Sequence, residues 1–165
     1  MADSDFYLQI DTIIGESESV GFEKQMQISS WSFGATNSGS AAYGGGLGTG
    51  KVNLQDFSFT ITHGKASPQL FLACAKGNHI PSAVLTCRKT GGGGSPFAYL
   101  KITFGDLIIS SRQIGGSDGS GLPHDSISFN FSNIKEEYFL QKPDGSVALN
   151  DTAVYDTKKV EGRAG

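Results

Sequence analysis

The chain has 165 residues, with 13 Lys and Arg set against 16 Asp and Glu, so its formal charge is -3 and it offers no basic footprint for nucleic acid or an anionic membrane. A domain of this length buries about 70% of the surface its unfolded chain exposes, enough for one core without a metal or disulfide. No apolar run reaches membrane-spanning length, which argues against membrane insertion, and the acidic start Met1-Ala2-Asp3-Ser4-Asp5 leads into a strand rather than a signal peptide.

One domain over 1–165, made in a cytoplasm, is therefore expected. Cys74 and Cys87 then read as small apolar residues rather than a disulfide. The 23 glycines gather in a few runs without a collagen period, which points to long turns between strands.

Taken in order, Phe6, Leu8 and Ile10 alternate with the period of two expected of a half-buried strand. Met26 and Ile28 continue that pattern, but Trp31 and Phe33 fall in the opposite phase, so a bulge or sharp bend is predicted near Ser29. A loop of glycine and small residues follows from Ser38 to Thr49. It carries too few apolar side chains to fold onto a core of its own. Val52 and Leu54 then change phase to Phe57 and Phe59, which predicts a second break near Gln55. Ser67-Pro68 through Lys76-Gly77 supplies a capping hydroxyl, a proline at the first helical position and a terminating glycine. A short helix is expected, with Leu70, Phe71 and Cys74 on the face that packs.

Strand patterns return at Ala83, Leu85 and Cys87, and after Gly91 to Gly94 at Ala98, Leu100, Ile102 and Phe104. Leu107 and Ile109 are again out of phase, placing a third break near Gly105. Beyond a loop from Gly115 to Pro123, Ile127, Phe129 and Phe131 alternate, and Pro143-Asp144-Gly145 makes a hairpin turn between Tyr138 to Gln141 and Ser146 to Leu149. A polar tail over about 156–165 has no assigned role. Bent strands with repeated phase breaks predict a mainly β chain whose curved sheet closes into a barrel, with one short helix.

Candidate chemistry is thin. Gly45-Gly46-Leu47-Gly48-Thr49-Gly50-Lys51 imitates a phosphate-binding loop, but Val52 replaces the hydroxyl that would reach magnesium, and a strand follows where a helix is needed. His124-Asp125-Ser126 holds the letters of a hydrolase triad, yet neighbours in a strand point to opposite faces, so coincidence is the better account. His63 reads as a solvated loop residue and His79 as a partner for helix carbonyls or a turn. Glu136 and Glu137 alternate sides and cannot share a site. Asn130-Phe131-Ser132 and Asn150-Asp151-Thr152 match the glycosylation sequon but lack a secretory signal. No catalytic set, cofactor site or metal spacing stands out, so the chain reads as a non-enzyme.

Several short motifs, in order, carry a resemblance: Gly15-Glu16-Ser17, Trp31-Ser32-Phe33-Gly34, Gly50-Lys51-Val52 with Asp56-Phe57, Ser67-Pro68, Ala73-Cys74, Gly77-Asn78-His79 and Pro81. They continue through Leu85-Thr86, Arg88-Lys89, Tyr99-Leu100, Ser110-Ser111, Gly115-Gly116-Ser117 and Gln141-Lys142. Together they resemble the haemolysin-coregulated protein (Hcp) family, the tube-forming protein of bacterial type VI secretion. The resemblance implies a two-sheet β-barrel with one flanking helix and an extended glycine-rich loop. It also implies a homo-hexameric ring stacked into a hollow tube, exported by a contractile sheath behind a spike protein, and effectors carried in the lumen. With Trp31 and Phe33 in the core, Ser32 points the other way, and the resemblance makes that face the lumen. The loop residues Ser40, Ala41, Ala42, Tyr43, Gly44, Gly45, Gly46, Leu47 and Gly48 match the segment that reaches the next ring, with Tyr43 and Leu47 as anchors. A carbohydrate-binding β-barrel is the alternative from another class; it would need exposed stacking aromatics, for which Tyr43 and Tyr99 are the candidates.

Overall fold

Alternating apolar residues become paired strands, and the phase breaks become the points where strands bend or change partners. The structure, a computed structural model, describes residues 4–37, 52–90, 94–119 and 121–164. The elements are β1 (Ser4–Ile10), β2 (Met26–Ile28), β3 (Ser30–Ser32), β4 (Ala35–Asn37), β5 (Val52–Leu54), β6 (Phe57–Thr62), α1 (Ala66–Lys76), β7 (Ile80–Thr90), β8 (Pro96–Gly115), β9 (His124–Gln141), β10 (Val147–Asp156) and β11 (Glu161–Ala164). The large sheet runs β11-β10-β9-β8-β7-β1-β2, while β9 also pairs with β6, and β6 with β3. All its pairings are antiparallel. The join between β2 and β3 is the chain itself, bending at Ser29, whose amide donates to the Thr60 carbonyl at 2.8 Å. The sheet thus curls round on itself, although no continuous ladder closes it.

The predicted break at Gln55 separates β5 from β6. Strands β4 and β5 form a separate two-stranded ribbon, with Ala35 opposite Leu54 and Asn37 opposite Val52. This ribbon is the base of the glycine-rich segment; Ser40 to Gly48, including Tyr43 and Leu47, lie outside the described residues. In the polar tail, Glu161–Ala164 pairs with β10 as an edge strand that alternation did not predict.

The core is aromatic at its centre. Phe57 lies 4.9 Å from Phe104 and 5.0 Å from Phe129 by ring centroid, and Phe104 is 5.0 Å from Phe129 and 4.8 Å from Phe131. Such pairs contribute about 0.5–1.5 kcal/mol each beyond their buried area. Trp31 stacks on Phe57 and Phe33 packs edge-on against Phe104, both facing the core as expected. Both cysteines are free; burial pushes the Cys87 thiol up to about 11, against the smaller opposing effect of hydrogen bonds with Trp31 and Tyr99, so it stays protonated and inert. On β7, the Arg88 guanidinium lies over the rings of Tyr7 and Phe22 and donates to Asp5 and to the Tyr7 hydroxyl. It thereby pins the loop carrying Phe22 onto β1 and β7.

Helix α1 differs from expectation at its start. Lys65, not Ser67, occupies the N-cap position, and Ser67 lies within the helix. The amides leading into the helix are paired: Gly64 N donates to Ser67 Oγ at 3.0 Å and Lys65 N to Glu16 Oε1 at 2.9 Å. Gly77 ends the helix with φ +63°, a left-handed geometry glycine adopts without strain. Leu70 is buried, whereas Phe71 points outward and is 56% exposed, because its ring covers Arg112 rather than the core.

The bend near Gly105 involves both long strands. Phe104 and Leu107 are both buried, so the intervening pair absorbs the change of phase, and Asp106 takes φ +50°. Opposite it, the Asn133 side chain lies across Gly105, where any Cβ would collide with its amide. Asp106 accepts hydrogen bonds from Lys158 Nζ, from His79 Nδ1 at 3.0 Å and from Ser132 Oγ at 3.1 Å, and these hold its carboxyl well below the usual range. His79 therefore serves the strand bend and not the helix carbonyls. Thr157 adds two hydrogen bonds to the Ser132 carbonyl, tying the turn after β10 to the same point. Because the atoms in the way are the end of the Asn133 side chain, which must turn aside, replacing Gly105 with alanine is expected to cost about 1 kcal/mol. Urea unfolding should show a lowered midpoint that Asn133→Ala partly restores in the double variant; an unshifted midpoint for Gly105→Ala alone would reject this account of the bend.

Candidate functional site

Pleat geometry sends alternate side chains to opposite faces, so each strand that places aromatics in the core must present its intervening residues outward. On β3, β6, β9 and β8 those residues are almost all small and hydroxylated. Register aligns them in two rows across the four strands. One row is Ser32, Ser58, Ser128 and Ser111; the other is Ser30, Thr60, Ser126 and Gln113. Ser30 Oγ lies 2.6 Å from Thr60 Oγ1, and Ser58 Oγ lies 2.8 Å from Ser128 Oγ. The rows line a shallow groove of about 430 Å³ with Trp31, Phe59 and Ile127 at its base.

No residue of either row carries a charge. Arg112 and Asp125, within the same strand segments, turn to the opposite side and pair at 2.9 Å, whereas the exposed Asp56, just before β6, stands beside the rows and accepts from Ser110 Oγ at 2.6 Å. Asp125 is fully buried and is the centre of a polar cluster: Ser67 Oγ donates to its Oδ2 at 2.5 Å, and His63 Nδ1 lies 3.2 Å from the same oxygen. This corrects one expectation: His63 is held by a buried carboxylate and is not simply solvated. Asp125 crosslinks α1, β8, β9 and the turn after β6. The cluster is not a hydrolytic triad, because Asp125 binds both Ser67 and His63, whereas a triad needs histidine between nucleophile and carboxylate. His124 and Ser126 flank it on the exposed face, as strand alternation requires.

Ser32 is exposed, opposite Ser58 and within the first row, so its outward direction agrees with the sequence reading. Sequence reasoning missed the seven partners of Ser32, since each is one polar residue in an alternating strand and only strand order aligns them. Ser58 and Ser128 occupy out-facing positions between apolar residues that alternation alone shows, whereas the pairing of β6 with β9 has no local signal. Of the aromatics considered as stacking platforms, Tyr99 is partly covered by Lys89, whose ammonium lies 5.0 Å from its ring centroid, and Tyr43 is outside the described residues. Among the described residues, no cluster of His, Cys, Asp and Glu is arranged to hold a metal ion, and no helix is long and apolar enough to cross a membrane.

Comparison with known proteins follows the same lines. The family described as "Type VI secretion system effector, Hcp" matches residues 7–138. The chain belongs to the Hcp family of type VI secretion. Protein hcp1 of Pseudomonas aeruginosa is 39% identical over 142 residues, covering 86% of this chain and 87% of that protein. The crystal structure of Hcp1 from Salmonella typhimurium is 32% identical with a TM-score of 0.77 over 98% of this chain and all of that one. A structure described as a type six secretion system protein is 25% identical with a TM-score of 0.88, covering 96% and 99% of the two chains. Hcp is a family of secreted structural proteins, and this member shares its mostly β fold with one short helix.

The Asp125 cluster generates a direct test. Asp125→Ala strands the Arg112 guanidinium, 14% exposed, without its counter-ion and should cost about 3–5 kcal/mol. Denaturant unfolding should show that loss, and pairing the change with Arg112→Met should recover most of it; no recovery would mean the charge pair is not what holds this region.

Proposed function

We propose that this Hcp chain is the ring subunit of a type VI secretion tube, in which six copies join head to tail, rings stack, and cargo travels inside. The observation that carries this reading is the hydroxyl-lined sheet face containing Ser32, which is uncharged, shallow and built of side chains too short to obstruct a passage. In the proposed assembly that face lines the lumen and meets effector proteins. The ring requires a heterologous contact between unlike surfaces of neighbouring copies. Tyr138, Leu140, Val147 and Leu149, all exposed along the β9–β10 hairpin, are apolar candidates for that contact.

Ring stacking is assigned to Ser40 through Gly48, carried on the β4–β5 ribbon. Ordering such glycine-rich chain costs about 1–2 kcal/mol per residue, which contact with the next ring would offset. Tyr43 and Leu47 are the anchors in this scheme. The spike protein at the tip and the contractile sheath outside are the remaining partners, and the protein leaves the cytoplasm through the secretion machine itself.

Light scattering and negative-stain microscopy should show a six-copy ring with a central hole; a monodisperse monomer at micromolar concentration would sink the reading. Deleting residues 41–48 should leave rings but abolish stacked tubes and secretion, and loss of the ring would instead place the segment within it. Ser32→Arg should reduce cargo retention with the ring and the unfolding midpoint preserved. Unchanged retention removes Ser32 from the lumen.

A further inference from the structure

The sequence holds two Asp-Gly pairs, Asp118-Gly119 and Asp144-Gly145, each exposed in a turn and each followed by serine. An aspartate before glycine is open to attack on its own side-chain carboxyl by the next backbone nitrogen, because glycine has no Cβ to hold the two groups apart. The carboxyl reacts in its neutral form, from which a hydroxyl can leave, and the ionised form resists. The following amide must also be free to turn toward the side chain.

The two turns meet these requirements differently. Asp144 is tied into the hairpin between β9 and β10, where its Oδ1 accepts from Ser146 N at 2.9 Å and from Ser146 Oγ at 2.6 Å. The carboxylate is thereby directed past Gly145. The same bonds, the side-chain one foremost, hold the Asp144 carboxyl below the usual range, so its neutral form is scarce. Gly145 N is engaged as well, donating to the Lys142 carbonyl at 2.9 Å, and Lys142 N donates across the turn to the Ser146 carbonyl at 2.7 Å.

Asp118 has no such ties. It lies in the loop between β8 and β9, and among the described residues neither its carboxyl nor the Gly119 amide makes a hydrogen bond. Gly119 takes φ +81° with open space where a side chain would stand. Since both pairs read Asp-Gly-Ser, the contrast between them belongs to the fold and not to the neighbouring residues.

We propose that Asp118 is a site of spontaneous covalent modification, isomerising to isoaspartate, and that the hairpin turn protects Asp144 from the same reaction. In the first step Gly119 N bonds to Asp118 Cγ, the C–OH bond of the carboxyl breaks, and the amide proton leaves with that hydroxyl as water. The cyclic imide then takes one water back. Opening at the side-chain carbonyl restores aspartate, whereas opening at the main-chain carbonyl leaves the chain running through the side chain. The product carries an extra backbone carbon in the loop that joins the two longest strands. Water is the only co-reactant.

The test holds the intact protein for several weeks at body temperature in mildly acidic buffer, then digests it and measures isoaspartate in each Asp-Gly peptide by mass spectrometry. Three hydrogen bonds at Asp144 and Gly145 must be given up before attack, each slowing it several-fold, so isoaspartate should accumulate at Asp118 at least about tenfold faster than at Asp144. Asp118→Glu, whose longer side chain closes a less favourable ring, should remove the signal at 118 and leave Asp144 unchanged. Ser146→Ala should speed the reaction at Asp144 by about threefold or more. In guanidinium-unfolded protein the two pairs lose their surroundings, and their rates should come within about twofold of each other. Equal rates in the folded protein, faster reaction at Asp144, no isoaspartate at Asp118, no effect of Ser146→Ala, or a tenfold difference that persists after unfolding would each overturn the proposal.

Discussion

Everything on the outer face depends on the phenylalanines behind it. Phe57, Phe59, Phe104 and Phe129 interlock across β6, β8 and β9, and a slip of one residue in any of these strands would exchange an aromatic ring for a polar residue or a glycine in the core. The penalty is twofold, since the slipped strand would bury hydroxyls and expose rings. That penalty fixes the register, and the register places Ser32, Ser58, Ser128 and Ser111 in line. The hydroxyl-lined face is in this sense the reverse side of the core.

Charge is handled differently in the two halves of the long strands. Above the bend, the ions turn to the opposite side and are spent on attachment: Asp125 gathers Arg112, Ser67 and His63 and so seats the helix. At the bend, Asp106 gathers Lys158, His79 and Ser132 and so seats the turn that leads to the last strand. Each carboxylate joins segments far apart in sequence, with the helix held in one case and the C-terminal strand in the other. Arg112 and Asp125 thus leave the two hydroxyl rows themselves without charge, and Asp56 is the carboxylate that stands beside them.

Much of the strand framework was legible in the sequence, because alternation reports directly on which face is buried. The breaks near Ser29, Gln55 and Gly105 were legible for the same reason: a change of phase is a change of face. What could not be read were relations between strands. Nothing in the residues around Ser58 says that Ser128 lies beside it, and nothing around His63 announces a carboxylate 62 positions away. The helix start was misplaced because Ser67 carries a good capping side chain that a buried acceptor, Asp125, claims instead. Phe71 was misjudged because an arginine can be covered by an aromatic ring from outside as well as from the core side. Glu161–Ala164 was overlooked since an exposed edge strand has no apolar face to alternate with.

The crossing of Asn133 over Gly105 has a consequence for how such chains diverge. The Asn133 amide fills the space that a side chain at 105 would take, so the two positions are coupled: a side chain at 105 is accommodated once that amide turns aside or is shortened. Either route opens the same space, because the atoms in the way are the end of one side chain and not the backbone of the facing strand.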